Sequence, residues 1–178
     1  MKADYVIVGG GSAGCVLANR LSEDPGNQVL LIEAGGKDWN PLIHIPAGYM
    51  KLLDHPTLTW GFKADRNSGL NGREINYPRG RVLGGSSSIN GMIYIRSQPE
   101  DYDHWAQLGN RGWSSADVLP YFNKSEKWQG PDKAAHSKDG LLYTSPSRDQ
   151  PELCQAAIEA GAQMGWDYRD DLNDLPHG

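Results

Sequence analysis

The residues whose types and spacing could do chemistry begin at Gly9. Gly9-x-Gly11-x-x-Gly14 comes directly after the apolar, β-branched run Tyr5 to Val8 and leads into Ala13 to Ser22, whose composition suits a helix. Such a turn offers an anion unpaired backbone N–H groups and the positive end of a helix dipole, with no basic side chain required. Gly9 allows the sharp turn off the strand, Gly11 leaves a diphosphate room against the backbone, and Gly14 lets the helix lie close on the sheet. Val29 to Ile32 is a second apolar run, and Glu33 closes it about 20 residues after Gly14, the spacing of an acid that hydrogen-bonds a ribose. Its charge would repel a 2′-phosphate, which argues against NADP. The opening 36 residues therefore describe a dinucleotide site.

The elements that must position this site are strand, helix and second strand, a parallel βαβ unit of the α/β class. With 178 residues, 38% of them hydrophobic, the chain has enough apolar material for a core. Its formal charge of −5 comes from 17 basic and 22 acidic residues that are interspersed, so no basic stripe for nucleic acid is expected. No apolar run approaches the roughly 18 residues of a transmembrane helix, and the N-terminus runs straight into a strand. A cytoplasmic location follows as the expectation, with peripheral membrane association of a full-length protein left open. Cys15 and Cys154 lack metal-ligand spacing and are too few for a disulfide framework. Both fall in apolar helical patterns and are expected as small buried hydrophobes, and no metal site is expected.

Beyond Glu33 the chain turns irregular. Ala34-Gly35-Gly36, Pro41 to Pro46 and Pro56 preclude a long helix and favour ordered loops. Leu58 to Phe62 suits a short strand, Asn71-Gly72 a turn, and Glu74 to Pro78 the returning strand of a small hairpin. Trp60 and Phe62 share one face of that strand and are expected as packing aromatics rather than substrate contacts. Glu100 to Leu108 suits a helix with Trp105 and Leu108 on one face. Ser114 is an N-cap for the next helix, with Pro120 within its first turn or so. Gly130 to Gly140 is a polar loop and Leu141 to Thr144 a strand. A helix from Gln150-Pro151-Glu152 carries its apolar face on Leu153, Ala156, Ala157, Ala160 and Met164, and the acidic stretch from Asp167 to Gly178 ends without a closing element.

The second informative stretch runs from Tyr77 to Arg96. Three glycines, three serines and Asn90 within about a dozen residues, with apolar flanks, make a loop that presents backbone N–H groups at close range. On composition alone it is as well a structural loop as a binding one. Taken with the opening motif, however, the chain resembles the glucose-methanol-choline (GMC) family of FAD-dependent oxidoreductases, especially its choline-dehydrogenase-like and bacterial alcohol-dehydrogenase members. The resemblance is carried by DYVIVGGGSAGCVLANRLSE, IEAGG, LNGREINYPRGRVLGGSSSINGMIYIR, DYDHW and GWSSADVLPYF. The segment Gly80 to Asn90 looks like the family's first signature and is far more specific than the glycine fingerprint.

The resemblance implies a Rossmann-like, GMC-type FAD-binding fold, incomplete here, with a loop-rich excursion and the start of a substrate domain. The divisions are a βαβ unit at 1–36, flavin-covering loops and signature at 37–99, and helices beginning the substrate domain at 100–178. Gly9, Gly11, Ser12, Ala13 and Gly14 would hold the FAD diphosphate, and Glu33, with Ala34 after it, the adenosine ribose. The loop Val82 to Ser87, including Gly84, Gly85 and Ser86, would follow the diphosphate and ribityl chain, with Asn90, Gly91, Met92 and Ile93 beside the isoalloxazine. The family oxidises an alcohol by hydride transfer to flavin N5 while a histidine in its C-terminal part takes the hydroxyl proton. The implied partners are a small alcohol and an electron acceptor, whether oxygen, a quinone or another carrier.

Two positions depart from the pattern. Ile89 stands where some members carry a histidine joined to FAD, so non-covalent FAD is expected, and Ser97 stands where a glycine commonly follows Tyr-x-Arg. None of His44, His55, His104, His136 and His177 matches the family's catalytic histidine. Each is expected at the surface or in packing, and no catalytic residue is assigned. The chain is expected to be the N-terminal, FAD-binding part of a longer enzyme, with a sheet that lacks strands and leaves apolar surface exposed. A NAD-linked Rossmann enzyme would share the opening fingerprint, but has no use for the Gly80 to Asn90 stretch. A non-catalytic flavin-binding module is the other alternative, and a light-driven decarboxylase on the same fold is left open.

Overall fold

Tyr5–Val8 forms β1, Ser12–Leu21 forms α1 and Val29–Ile32 forms β2 in the computed structural model, which describes residues 2–147 and 149–174. The strands pair in parallel from Tyr5↔Val29 to Val8↔Ile32, and α1 packs on both. A Cβ on Gly14 would stand 1.9 Å from the Gly9 carbonyl oxygen, so helix and turn approach this closely only with glycine there. The chain has the expected α/β class. Of the residues in these two strands only Ile7 is buried, while Val6, Val8 and Ile32 are exposed. Two strands alone are marginal in water, so this unit depends on what is packed around it.

The described residues divide into two units, Met1–Ile93 and Tyr94–Gly178. In the first, the core lies beneath the loops and not beneath the sheet. Leu52, Leu58, Val82 and Ile89 form it, with Leu42 and Ile43 packed against them. Pro41 and Pro46 each open a 3-10 turn, and Tyr49–Leu52 is a short helix, α2, that places Leu52 inward. Lys63–Ala64 (β3) and Ile75–Asn76 (β4) pair antiparallel. The hairpin is therefore present, but its regular strand lies just after Leu58 to Phe62. The earlier residues still pair, through Trp60 N–H to Arg79 O at 2.9 Å and Arg81 N–H to Leu58 O at 2.7 Å. Asn71 at φ 52° and Gly72 at φ 69° make the turn that the dipeptide signals. Gly36 bridges Val82, and the Gly84 N–H donates to Gly10 O at 2.7 Å, so the segment anticipated as 1–36 meets the part of 37–99 up to Ile93 within one unit, and residues 94–99 belong to the second.

In the second unit Pro99–Gln107 (α3) and Ser115–Ser125 (α4) each begin with a capping box, Gln98 with Asp101 and Ser114 with Asp117. Pro120 is the sixth residue of α4, not in its first turn, and so removes a backbone donor from the helix interior. Ser97, at φ 65°, adopts the left-handed conformation that favours glycine, the residue that the resemblance implies there. Glu126–Trp128 (β5), which carries no apolar alternation, pairs in parallel with Leu142–Thr144 (β6). Glu152–Gln163 (α5) buries no residue, and Leu153 and Met164 of its apolar face stand open. Cys154 is exposed and Cys15 half-buried, so neither is the buried hydrophobe expected, because the apolar faces carrying them are only partly covered.

A buried charge cluster organises this unit. Glu126 is fully buried, and its carboxylate meets Arg96 Nη2 at 2.6 Å, His136 Nδ1 at 2.8 Å and the Thr144 hydroxyl at 2.7 Å. His136 Nε2 lies 2.7 Å from Asp171 Oδ2, so the ring bridges the two carboxylates. Trp128 stacks on the ring at 3.9 Å. Asn173 accepts from the Arg96 N–H at 2.8 Å and donates to Tyr94 O at 3.2 Å. The acidic stretch after Asp167 is thus fastened by polar contacts that its composition concealed, and His136 lies inside the unit although its loop reads as polar.

Burial alone would raise the Glu126 carboxyl, but hydrogen bonds from Thr144, His136 and the Ser137 backbone, with the charge of Arg96, hold it below the ordinary range. Burial likewise opposes the Asp171 carboxylate and is outweighed by the Asn173 N–H, His136 and Lys133. Both groups bind protons more weakly folded than unfolded, so their contribution is complete at neutral pH. It is lost as pH falls through the ordinary carboxylate range toward the lowered values. Glu126→Gln, which leaves the buried Arg96 without its counter-charge, is expected to lower stability by about 3–5 kcal/mol in urea unfolding at pH 7. The loss relative to wild type should shrink as the pH is taken below 4.5, the ordinary value for glutamate. Equal stability at pH 7 would refute the cluster's role.

Candidate dinucleotide site

The site is built where β1 and β2 end. Gly11 caps α1 with extended backbone and no side-chain cap, and no acidic residue lies in the first helical turn. The positive end of the helix therefore faces an open cleft with no acidic residue in its own first turn. Glu33, one residue past β2, spans the turn: Oε2 accepts from the Gly10 N–H at 2.6 Å and Oε1 from the Gly35 N–H at 2.7 Å. Each carboxylate oxygen keeps further acceptor capacity for a hydroxyl.

The signature loop closes onto this turn. Gly84 N–H to Gly10 O is one attachment. Gly85, at φ 57°, comes so near that a Cβ on it would stand 2.9 Å from Gly11 Cα. Ser86 Oγ accepts from the Gly80 N–H at 3.1 Å, Ser87 Oγ donates to Gly84 O at 2.5 Å, and Ser88 Oγ donates to Leu83 O at 2.8 Å. The serines thus hold the loop's own shape. The two glycine-rich stretches, far apart in the chain, form one continuous backbone surface.

Of the residues singled out from sequence, Gly9, Gly11, Glu33, Ala34, Gly85 and Ser86 line a single open cleft of about 780 Å³. Ser12, Ala13 and Gly14 form the first turn of α1. Val82 is fully buried and gives its side chain to the core, while Gly84 and Ser87 shape the loop. Asn90, Gly91, Met92 and Ile93 are exposed further along the same unit, with Asn90 Oδ1 accepting from the Met92 N–H at 2.9 Å and Met92 at φ 58°. Trp60, Phe62, Tyr77 and Arg79 also line the cleft, and sequence reasoning did not place them there. Trp60 and Phe62 are 46% and 52% exposed, so they are not the packing aromatics expected. Their signal was the alternation Trp60-x-Phe62 facing Tyr77-x-Arg79 across paired chain.

The profile of the family described as GMC oxidoreductase matches residues 3–177. The chain belongs to the GMC oxidoreductase family. Among curated GMC relatives, the oxygen-dependent choline dehydrogenase of Rhizobium etli (strain CIAT 652) is 47% identical over 173 residues, 97% of this chain and 32% of the relative. That of Brucella ovis (strain ATCC 25840 / 63/290 / NCTC 10512) is 46% identical over the same shares. Among solved structures, pyridoxine 4-oxidase from Mesorbium loti superposes with a TM-score of 0.83 at 40% identity, over 91% of this chain and 32% of that one. Formate oxidase superposes with a TM-score of 0.87 at 28% identity, over 97% and 32%. The chain thus spans about a third of the length of the curated relatives it matches. Among the described residues no helix is long and apolar enough to cross a membrane.

Glu33 joins the turn to the end of β2 irrespective of any ligand. Removing it is expected to destabilise the unit by about 2 kcal/mol or more, because two hydrogen bonds to a charged acceptor are lost. Urea unfolding of Glu33→Ala checks this, and a change within about 0.5 kcal/mol of wild type, typical of an inert surface site, would contradict it.

Proposed function

We propose that the cleft binds FAD and that the chain is the flavin-binding part of an oxidoreductase acting on the CH–OH group of a small, choline-like alcohol. The carrying observation is the surroundings of Gly11. Its backbone is not left-handed, and a Cβ on it would meet nothing within 4 Å. Nothing inside the protein requires glycine there, whereas an anion lying on the backbone at the helix end would. Gly14 and Gly85 differ, since their missing side chains are filled by the protein itself.

The donor set fits a dinucleotide. Gly11, Ser12, Ala13 and Gly14 would take the diphosphate at the helix start, with Ser86 from the facing loop, while Gly9 and Gly85, whose N–H groups donate to Ile32 O and Val82 O at 2.7 Å, would give it room. Glu33, beside Ala34, would accept from the adenosine ribose. The stretch from Asn90 to Ile93 would lie beside the isoalloxazine. Bound flavin supplies a two-electron acceptor for the alcohol's hydride, and this chain's residues bind and orient it. Ile89 is buried in the core at 2% exposure and has no atom that could bond to a flavin, which supports a non-covalent cofactor. A NAD-linked reading leaves the second loop, pressed against the first, without a task. The substrate class follows the relatives named choline dehydrogenase.

Gly11→Ala and Gly14→Ala separate ligand from packing. Gly11→Ala is expected to cost at most about 1 kcal/mol of stability, as a poorer N-cap, yet to weaken FAD binding at least about tenfold. Gly14→Ala should lower stability by about 1–3 kcal/mol through overpacking, before any question of binding arises. FAD titration and thermal melting of both variants decide, and undiminished FAD affinity in Gly11→Ala would overturn the assignment.

A further inference from the structure

The chain holds two Asn–Gly pairs, Asn71–Gly72 and Asn90–Gly91, and all four residues are exposed. In such a pair the backbone nitrogen of the glycine and the side-chain Cγ of the asparagine can close a five-membered ring, because glycine carries no Cβ to hinder the approach. The fold treats the two pairs differently. The Gly72 N–H donates to Asn67 O at 3.0 Å, and Asn71 sits beside it in a left-handed turn at φ 52° and ψ 38°. The Gly91 N–H, among the described residues, has no hydrogen-bond acceptor, and residues 91–98 follow no regular element.

Asn90 is also activated. Its Oδ1 accepts from the Met92 N–H at 2.9 Å, which folds the side chain back along Gly91 and polarises the Cγ carbonyl. A donor on that oxygen stabilises the negative charge it gains when a nucleophile adds to Cγ. The neighbours hold the arrangement in place. Ile89, one residue before, is buried in the core, and Met92 is fixed in the left-handed region at φ 58°. Electrophile, nucleophile and oxyanion donor thus come from three successive residues, with solvent at hand to take the proton.

We infer that Asn90 is a site of spontaneous deamidation and the faster of the two Asn–Gly pairs. The Gly91 nitrogen gives its proton to solvent hydroxide and bonds to Cγ, the Cγ–Nδ2 bond breaks, and that nitrogen leaves as ammonia. Water then opens the succinimide, with no oxidant or reductant involved. Attack at Cγ gives an ordinary aspartate, and attack at the main-chain carbonyl gives isoaspartate, in which the chain runs through Cβ and gains a methylene. An added methylene between buried Ile89 and left-handed Met92 displaces the segment from Asn90 to Ile93. Resting on the FAD reading, which lays that segment beside the isoalloxazine, bound flavin covers Asn90 and slows its loss.

Peptide mapping by mass spectrometry tests this on the flavin-free, full-length gene product incubated at mildly alkaline pH. The amide-to-acid mass shift is expected about 2- to 10-fold faster at Asn90 than at Asn71, the weight of the one net hydrogen bond that Gly72 must first break. In urea the two rates should converge. Gly91 is not left-handed and a Cβ on it would meet only Tyr49 Cε2 at 3.8 Å, so Gly91→Ala should fold and lose most of the reaction. An Asn90 that stays intact, a folded-state rate at Asn71 equal to or above that at Asn90, or a difference that persists in urea would overturn the inference. Saturating FAD should slow Asn90 and leave Asn71 unchanged. Equal rates at Asn90 with and without bound FAD would overturn the protection and leave the modification standing. Protein that binds no FAD yet deamidates at Asn90 would overturn the FAD reading alone.

Discussion

One carboxylate fixes the geometry on which the rest of the first unit depends. Glu33 accepts from Gly10 on the turn after β1 and from Gly35 on the chain leaving β2. Gly35 in turn lies so close to the Arg81–Val82 backbone that no side chain fits between them. Turn, strand end and signature segment are thus held by a chain of contacts whose first link is a side chain that a ribose also needs. An acid here would serve the fold and the proposed ligand through different lone pairs, so stability and binding would not compete for it.

The two units are stabilised by different physics. In the first, the apolar core of Leu52, Leu58, Val82 and Ile89 is small and underlies the loops that shape the cleft. In the second, a buried glutamate, arginine and histidine organise two short strands and a returning segment, and the aromatic side chains of α3 and α4 stay partly open. Exposed Val8, Ile32, Leu153 and Met164 show elements whose apolar faces are not covered in this chain. A sequence covering about a third of its relatives is consistent with that incompleteness.

Much of the site was legible because its signals are local. A β-branched run, three glycines at fixed offsets and an acid after the second run specify strand, turn, helix and strand through nearest-neighbour sterics, and the strands form at Tyr5–Val8 and Val29–Ile32. What escaped depends on distant partners. β5 has the sequence Glu-Lys-Trp, and it pairs because Glu126 finds Arg96, 30 residues earlier, and His136. The alternation of Trp60 and Phe62 marks a shared face, but where that face lies follows from a ribbon docked beside Glu33, which no local signal reveals. Val82, read as a ligand neighbour from its place in the signature, turns its side chain into the core, while Gly80, Gly85 and Ser86 of the same segment line the cleft.

The central claim is that two distant glycine stretches form one cradle for a non-covalent flavin dinucleotide. The most direct test is the visible absorption spectrum of the purified full-length gene product, before and after acid precipitation. Flavin bands that pass into the supernatant, with FAD as the released compound, are the predicted result. A yellow precipitate would contradict the non-covalent assignment built on Ile89, and a colourless protein that takes up no added FAD would contradict the cradle itself.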